Sequence, residues 1–320
     1  MSIILVIVLI LGIGVLVGFH EQNNIIDYLK LRNYTAPSNI AAIATSDTMT
    51  SYGRKMFYVN HPQLTPKTSF SSYCPNGTEQ TVVLGCYHAA EDGIYILSVD
   101  NAQLNGIEQV TSAHEMLHAA YDQLSSSDKA YVDNLLTNYY NNGLTDPVIR
   151  AQIASYKQSE PGAVVNEMHS LFGTQVASLP PALETYYSRY LTDRATVVNY
   201  YLSYESAFST RQNQIKADDQ TLTTLNSQID NNNRQISSQL ADIQSLQVSL
   251  NNEKNNGQIT EYNASVPGFN TKVDDYNNLV VETRSLIDQY NNVVNSRNSI
   301  VLVEQQLVQA ISSTNQTLSK

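Results

Sequence analysis

Ala113-His114-Glu115-Met116-Leu117-His118-Ala119-Ala120-Tyr121-Asp122-Gln123-Leu124 is the stretch around which the rest of the chain takes its meaning. Ile107, Val110, Met116, Leu117, Ala120, Tyr121 and Leu124 recur at helical spacing, which predicts an amphipathic helix. On such a helix two histidines four apart project from one face, one turn from each other. Their imidazoles can reach one metal ion, and the intervening Glu115 can act on a water bound to it. Chance alone would place this pattern about 0.005 times in a chain with 6 His and 13 Glu.

Working outward, Asn105 followed by Glu108 reads as a capping box that starts this helix. Upstream, Thr81-Val82-Val83-Leu84 and Gly93-Ile94-Tyr95-Ile96-Leu97-Ser98-Val99 read as strands, punctuated by Gly85, Asp92 and Gly93. Downstream, helices are expected at 128–141, 147–158 and 162–172. Asp146 caps the second, with Pro147 in its first turn. Pro180-Pro181 opens a further helix. The expected fold class is α+β, mostly helical with a small sheet.

Through residues 114–118 and their surroundings the chain resembles the zincin metallopeptidases. The resemblance covers about residues 93–205 and only its motif is specific. It implies zinc as cofactor, His114 and His118 as ligands, Glu115 as general base and a protein or peptide as substrate. It also calls for a third ligand. The metzincin branch would need Gly at 121 and His at 124, where this chain has Tyr121 and Leu124. The gluzincin branch takes a Glu from a later helix. Glu160 precedes Pro161-Gly162 in a loop, whereas Glu167 lies in the apparent helix Val164–Gly173, 49 residues after His118. Glu167 is thus the expected ligand, with His169 the alternative. The two lie about 200° apart around a helix and cannot both serve one ion. Zincins commonly add a Tyr or His for the oxyanion of the tetrahedral intermediate. His169 and Tyr121 are the candidates, beside Tyr186, Tyr187 and Tyr190, which look more like packing residues. His88 reads as structural, and His20 and His61 carry no argument.

The last third follows another period. Ile215, Leu222, Ile229, Ile236, Ile243 and Leu250 fall seven apart, with Leu225 and Leu246 as companions. The pattern breaks at Asn255-Asn256-Gly257 and again at Pro267-Gly268. It resumes with Val273, Val280, Ile287, Val294 and Val301, beside a second stripe of Leu279, Leu286, Val293, Ile300 and Leu307. Two heptad arms predict an antiparallel helical hairpin over 206–320, able to self-associate or bind a coiled-coil partner. Asp218, Asn232 and Gln239 interrupt its seam.

At the other end, Ile3 to Phe19 contain no charge. That is about the minimum span of a bilayer, roughly 17–25 residues. No small-residue cleavage pattern follows, so residues 1–20 read as an uncleaved single-pass anchor. Residues 21–65 look like a polar juxtamembrane linker, and 66–205 like the zincin-like domain. Cys74 and Cys86 flank a Gly- and Pro-containing stretch. A disulfide and two buried thiols both fit this pair. A disulfide would place the body on the extracytoplasmic side. Lys30 and Arg32 after the anchor point weakly the other way. A net charge of -11, with no basic cluster to offset it, excludes nucleic acid as partner. Two other functional classes remain: a coiled-coil interaction protein with a degenerate zincin domain, and a zinc hydrolase of a non-peptide amide such as a cell-wall component.

Overall fold

The computed structural model describes residues 24–75, 83–89 and 93–312. The described chain is mostly helical, with one three-stranded sheet, and is thus α+β. The expected anchor at 1–20 lies outside the described residues. No described helix is long and apolar enough to cross a membrane.

The chain divides into two compact units. The first holds residues up to Ala207 together with the end of the chain from Leu307. It begins with helix α1 (residues 24–31), α2 (Ser38–Ser46) and α3 (Ser51–Tyr58), followed by strand β1 (Gln63–Thr65) and α4 (Lys67–Tyr73). Strands β2 (Gly85–His88) and β3 (Gly93–Leu97) come next, then α5 (Ile107–Asp122), α6 (Ser126–Asn142) and α7 (Pro147–Ser159). Helices α8 (Val164–Thr174) and α9 (Pro181–Tyr187) complete it, and α10 (Arg194–Asn255) starts in this unit.

The segment expected as a linker, 21–65, is structural over its described residues, 24–65. Ile40 and Ala44 of α2 and Met56 and Phe57 of α3 are buried in the same core as Met116 and Leu117 of α5. Its helices are only eight or nine residues long. Periods this short leave little pattern in the sequence, and packing rather than propensity stabilises them.

β3 lies centrally, parallel to β1 and antiparallel to β2, in the order β1-β3-β2. Ile94, Ile96 and Leu97 are buried. Of the expected first strand, Val83-Leu84 precedes β2 and Thr81-Val82 lies outside the described residues. Cys74 and Cys86 form a disulfide, which ties the end of α4 to β2.

The expected capping box does not form. Gly106, in a left-handed conformation (φ 98°), caps α5 without a side-chain hydrogen bond. Glu108 Oε1 instead accepts the Val99 backbone N–H at 2.8 Å, tying the helix start to the end of β3. Asp146 does cap α7, accepting from the amides of Val148 and Ile149. Helix α9 ends after seven residues, and Tyr187 and Tyr190 are fully buried. Arg194, at the first position of α10, is buried. It pairs with Glu184 and donates to the carbonyls of Phe172, Val176 and Ala177, the end of α8 and the loop beyond.

The second unit, Phe208–Gln306, is built from α10 and α11 (Ile259–Ile311), joined through a turn with Gly257 at φ 76°. Gln212 reaches Glu304 and Arg297 reaches Asp219. Between these pairs one residue number rises by seven as the other falls by seven, so the helices run antiparallel. The expected seam of α10 is the sheltered face, with Leu225, Leu250, Asp218 and Asn232 buried. On α11 Ile287 of the first stripe is exposed, while Val273, Val280, Val294 and Val301, like Leu279, Leu286, Val293 and Ile300 of the second stripe, are half-buried. Leu307, at the end of that stripe, is buried in the first unit. The break expected at Pro267-Gly268 is absent, since α11 runs through Pro267 without interruption. A proline inside a helix costs about 3 kcal/mol, which a helix of 53 residues in a hairpin tolerates.

Candidate metal centre

Three side chains from two helices converge. His114 and His118 stand one turn apart on α5, and Glu167 reaches them from α8. The two Nε2 atoms are 3.0 Å apart. Glu167 Oε1 lies 3.6 Å from His118 Nε2, and Oε2 lies 3.8 Å from His114 Nε2. Ligand atoms about 2.0–2.2 Å from a tetrahedral ion stand roughly 3.3–3.5 Å from each other, and these three bracket that spacing. Glu167 Oε2 is buried and has no hydrogen-bond partner among the described residues. Two imidazole nitrogens and a carboxylate oxygen form a donor set suited to zinc, so the residues present fit that ion.

Close packing of α8 on α5 brings Glu167 in. Gly173 makes this possible, because a Cβ there would overlap the Leu117 and Tyr187 side chains. The Arg194 bonds to the carbonyls of Phe172 and Val176 hold this same end of the helix.

The charge state suits a metal. Burial pushes the His118 imidazole down to about 4, against the pull of Glu167 and with a further push from His114. It is therefore neutral at physiological pH, with a lone pair available. Burial alone would raise the Glu167 carboxyl. His118 and His114, with smaller help from Tyr156, outweigh it and hold the group below its usual range, as a carboxylate. His118 Nδ1 is 3.0 Å from Asn166 Oδ1. An Nδ1–H donating to that oxygen leaves Nε2 free to face Glu167, the arrangement that orients metal-binding histidines.

Glu115 is buried between α5 and β2. A Cβ on Gly85 would stand 3.0 Å from Glu115 Oε1 and 2.5 Å from a Thr111 methyl, so a residue without a side chain is what fits here. Among the described strands β2 is paired on one side only. Glu115 packs against the face of β2 at Gly85.

Comparison with protein-family models, with curated proteins and with solved structures finds no match for this chain. The chemistry of the site therefore rests on its own geometry.

The remaining expected residues are used elsewhere. His169 is completely buried, and its Nε2 shares a 2.8 Å hydrogen bond with the Tyr186 hydroxyl. Tyr187 donates to the His169 carbonyl. Burial, then the nearby His118 and His114, push its imidazole down to about 3. It is a packing residue two positions from Glu167, as the helical period requires. The Tyr121 hydroxyl donates to Asp133 on α6 at 2.7 Å, and Lys129 sits over its ring. Neither group is free for an oxyanion. His88 donates to the Tyr73 carbonyl at 2.7 Å, and the sulfurs beside it are spent in the disulfide. The sequence reading gave no role to Asn166 or Tyr156. Asn166 immediately precedes the expected ligand, and that adjacency was its only signal.

Proposed function

We propose that this chain is a zinc metallopeptidase of the zincin type, gluzincin-like in its ligands, tethered to the membrane by its N-terminal apolar segment. One observation carries the reading. The third ligand expected from sequence, 49 residues after His118, stands within 3.6 Å of His118 Nε2 on a separate helix. A coiled-coil protein with an idle motif would have no need to bury a carboxylate against two imidazoles.

His114, His118 and Glu167 would hold the ion. Zinc held by three protein ligands supplies a Lewis acid and a water that ionises near neutral pH. Glu115 accepts the proton of the attacking water and passes it to the departing amine nitrogen. The free edge of β2 offers backbone N–H and C=O groups to an extended peptide, which would bring a scissile carbonyl past Glu115. Asn166 keeps His118 in the tautomer that binds. The disulfide supports a body on the oxidising side of the membrane, and an extended backbone as ligand favours a peptide over other amides.

The test is metal content and hydrolysis in the full chain. The parent is expected to hold about one zinc per chain, and His118→Ala to lose it. Glu115→Gln keeps the metal and loses peptide hydrolysis. A folded parent that takes up no zinc would end this reading.

A further inference from the structure

Helix α1 is turned inside out relative to an ordinary surface helix. Its acidic residue is buried and its large apolar residues face outward. Asp27 is 2% exposed, while Ile25 is 56%, Tyr28 70% and Leu29 51% exposed. The helical period explains the division: Asp27 faces the first unit, and Ile25, Ile26, Tyr28 and Leu29 span the arc opposite it. The polar face is fastened to the first unit: Lys55 Nζ lies 2.8 Å from Asp27 Oδ2 and 3.1 Å from Asn24 Oδ1, and Gln123 donates to Asp27. Gln123 directly follows α5, so the helix is attached to the element that carries His114 and His118.

Four large apolar side chains exposed on two turns of helix, Ile25, Ile26, Tyr28 and Leu29, need a cover. Five residues before α1 the sequence ends an uncharged run of 17 residues, Ile3 to Phe19. We infer that the Ile25–Tyr28–Leu29 face of α1 lies in the headgroup and upper acyl region of a lipid bilayer, holding the first unit against the membrane surface. This rests on the membrane tether proposed above. Tyr suits that depth, with its ring in the apolar layer and its hydroxyl at the water boundary. Arg32, exposed in the turn just after α1, offers a cation to anionic headgroups. The Asp27–Lys55 pair makes the attachment rigid, so the catalytic unit does not swing on a loose linker.

The chain contains no Trp, so one introduced indole reports alone. Tyr28→Trp is made in the full chain and reconstituted into phosphatidylcholine–phosphatidylglycerol vesicles. Tyr131→Trp, at an exposed site on α6, is the control. With acyl-brominated phosphatidylcholine, the residue-28 indole is expected to lose most of its emission and the residue-131 indole to keep it. Flotation of the chain with the vesicles tests the tether separately. A chain that floats while both indoles stay unquenched overturns the inference and leaves the tether standing. Blue-shifted, unquenched emission that grows with the protein-to-lipid ratio also overturns it, by showing a second copy on this face. A chain that does not float removes the tether and the inference together.

Discussion

Asn166→Ala removes the only acceptor seen for His118 Nδ1, at 3.0 Å, and leaves every expected zinc ligand in place. His118 lies in a desolvated site, as its pKa of about 4 reflects. An N–H left there without a partner costs about 1–3 kcal/mol, roughly 5- to 150-fold in an equilibrium constant. The ring is also released to rotate or to adopt the other tautomer, which places a proton on the ligating nitrogen. Losses of about 10–100-fold in metal affinity are usual for such partners, so zinc affinity is expected to fall by that factor. The assay is competition against a chelating indicator, with thermal unfolding of the metal-free protein as the control for folding. Asn166→Asp keeps an acceptor oxygen and should hold zinc at least as tightly as the parent. Equal affinity in the parent and Asn166→Ala, alongside loss in His118→Ala, would refute the argument that Asn166 sets the orientation of His118.

Three further outcomes follow from other parts of the molecule. Replacing Cys74 and Cys86 by Ser opens a loop whose ends are 12 residues apart, which should cost about 3 kcal/mol in denaturant unfolding. Because Cys86 neighbours Gly85, kcat/KM should also fall while bound zinc is unchanged; loss of zinc instead would place the disulfide under the ligands rather than under β2. Asp47 is fully buried, neither carboxylate oxygen has a hydrogen-bond partner among the described residues, and burial holds its pKa well above the ordinary value. A carboxyl raised in the folded state contributes stability below its unfolded pKa, and that contribution is lost as pH rises toward the folded pKa. Asp47→Asn should therefore leave stability near pH 4 unchanged and raise it increasingly toward neutral pH, and a constant difference across a pH series of melting curves would contradict this. Asn232 is buried in the hairpin seam with its amide nitrogen unpartnered among the described residues. Asn232→Leu should raise the protection of amide hydrogens in Phe208–Gln306 by about 1–3 kcal/mol, and unchanged exchange there would show that the amide is already satisfied.

Where a periodic signal was long, the sequence alone was enough. The seven-residue spacing from Ile215 to Leu250 determined the sheltered face of α10, because one side of a long helix must be apolar to pair. It did not separate the two apolar stripes of α11, of which the structure leaves Ile287 exposed and buries Leu307. The motif helix was legible because His114, Glu115 and His118 are neighbours in the chain. Glu167 could be named as an expected ligand from its place in an apparent helix after the motif, but only the packing of α8 on α5 brought its carboxylate to the imidazoles. The pairing of Cys74 with Cys86 stayed open for the same reason, because spacing says nothing about where two sulfurs end up. Short elements were misread: α2 and α3 looked like linker, since a period of only eight or nine residues carries little information. Glu108 looked like a capping residue until the end of β3 supplied a closer donor. By itself the sequence determined the local chemistry, namely which helix carries two histidines and which arms form a hairpin. The tertiary structure decided everything that depends on contacts between distant segments: the approach of Glu167 to His114 and His118, the contact of Asn166 with His118, the packing of Glu115 against β2 and the outward apolar residues of α1. Such contacts are set by burial and close packing among side chains far apart in the chain, and no local period records them.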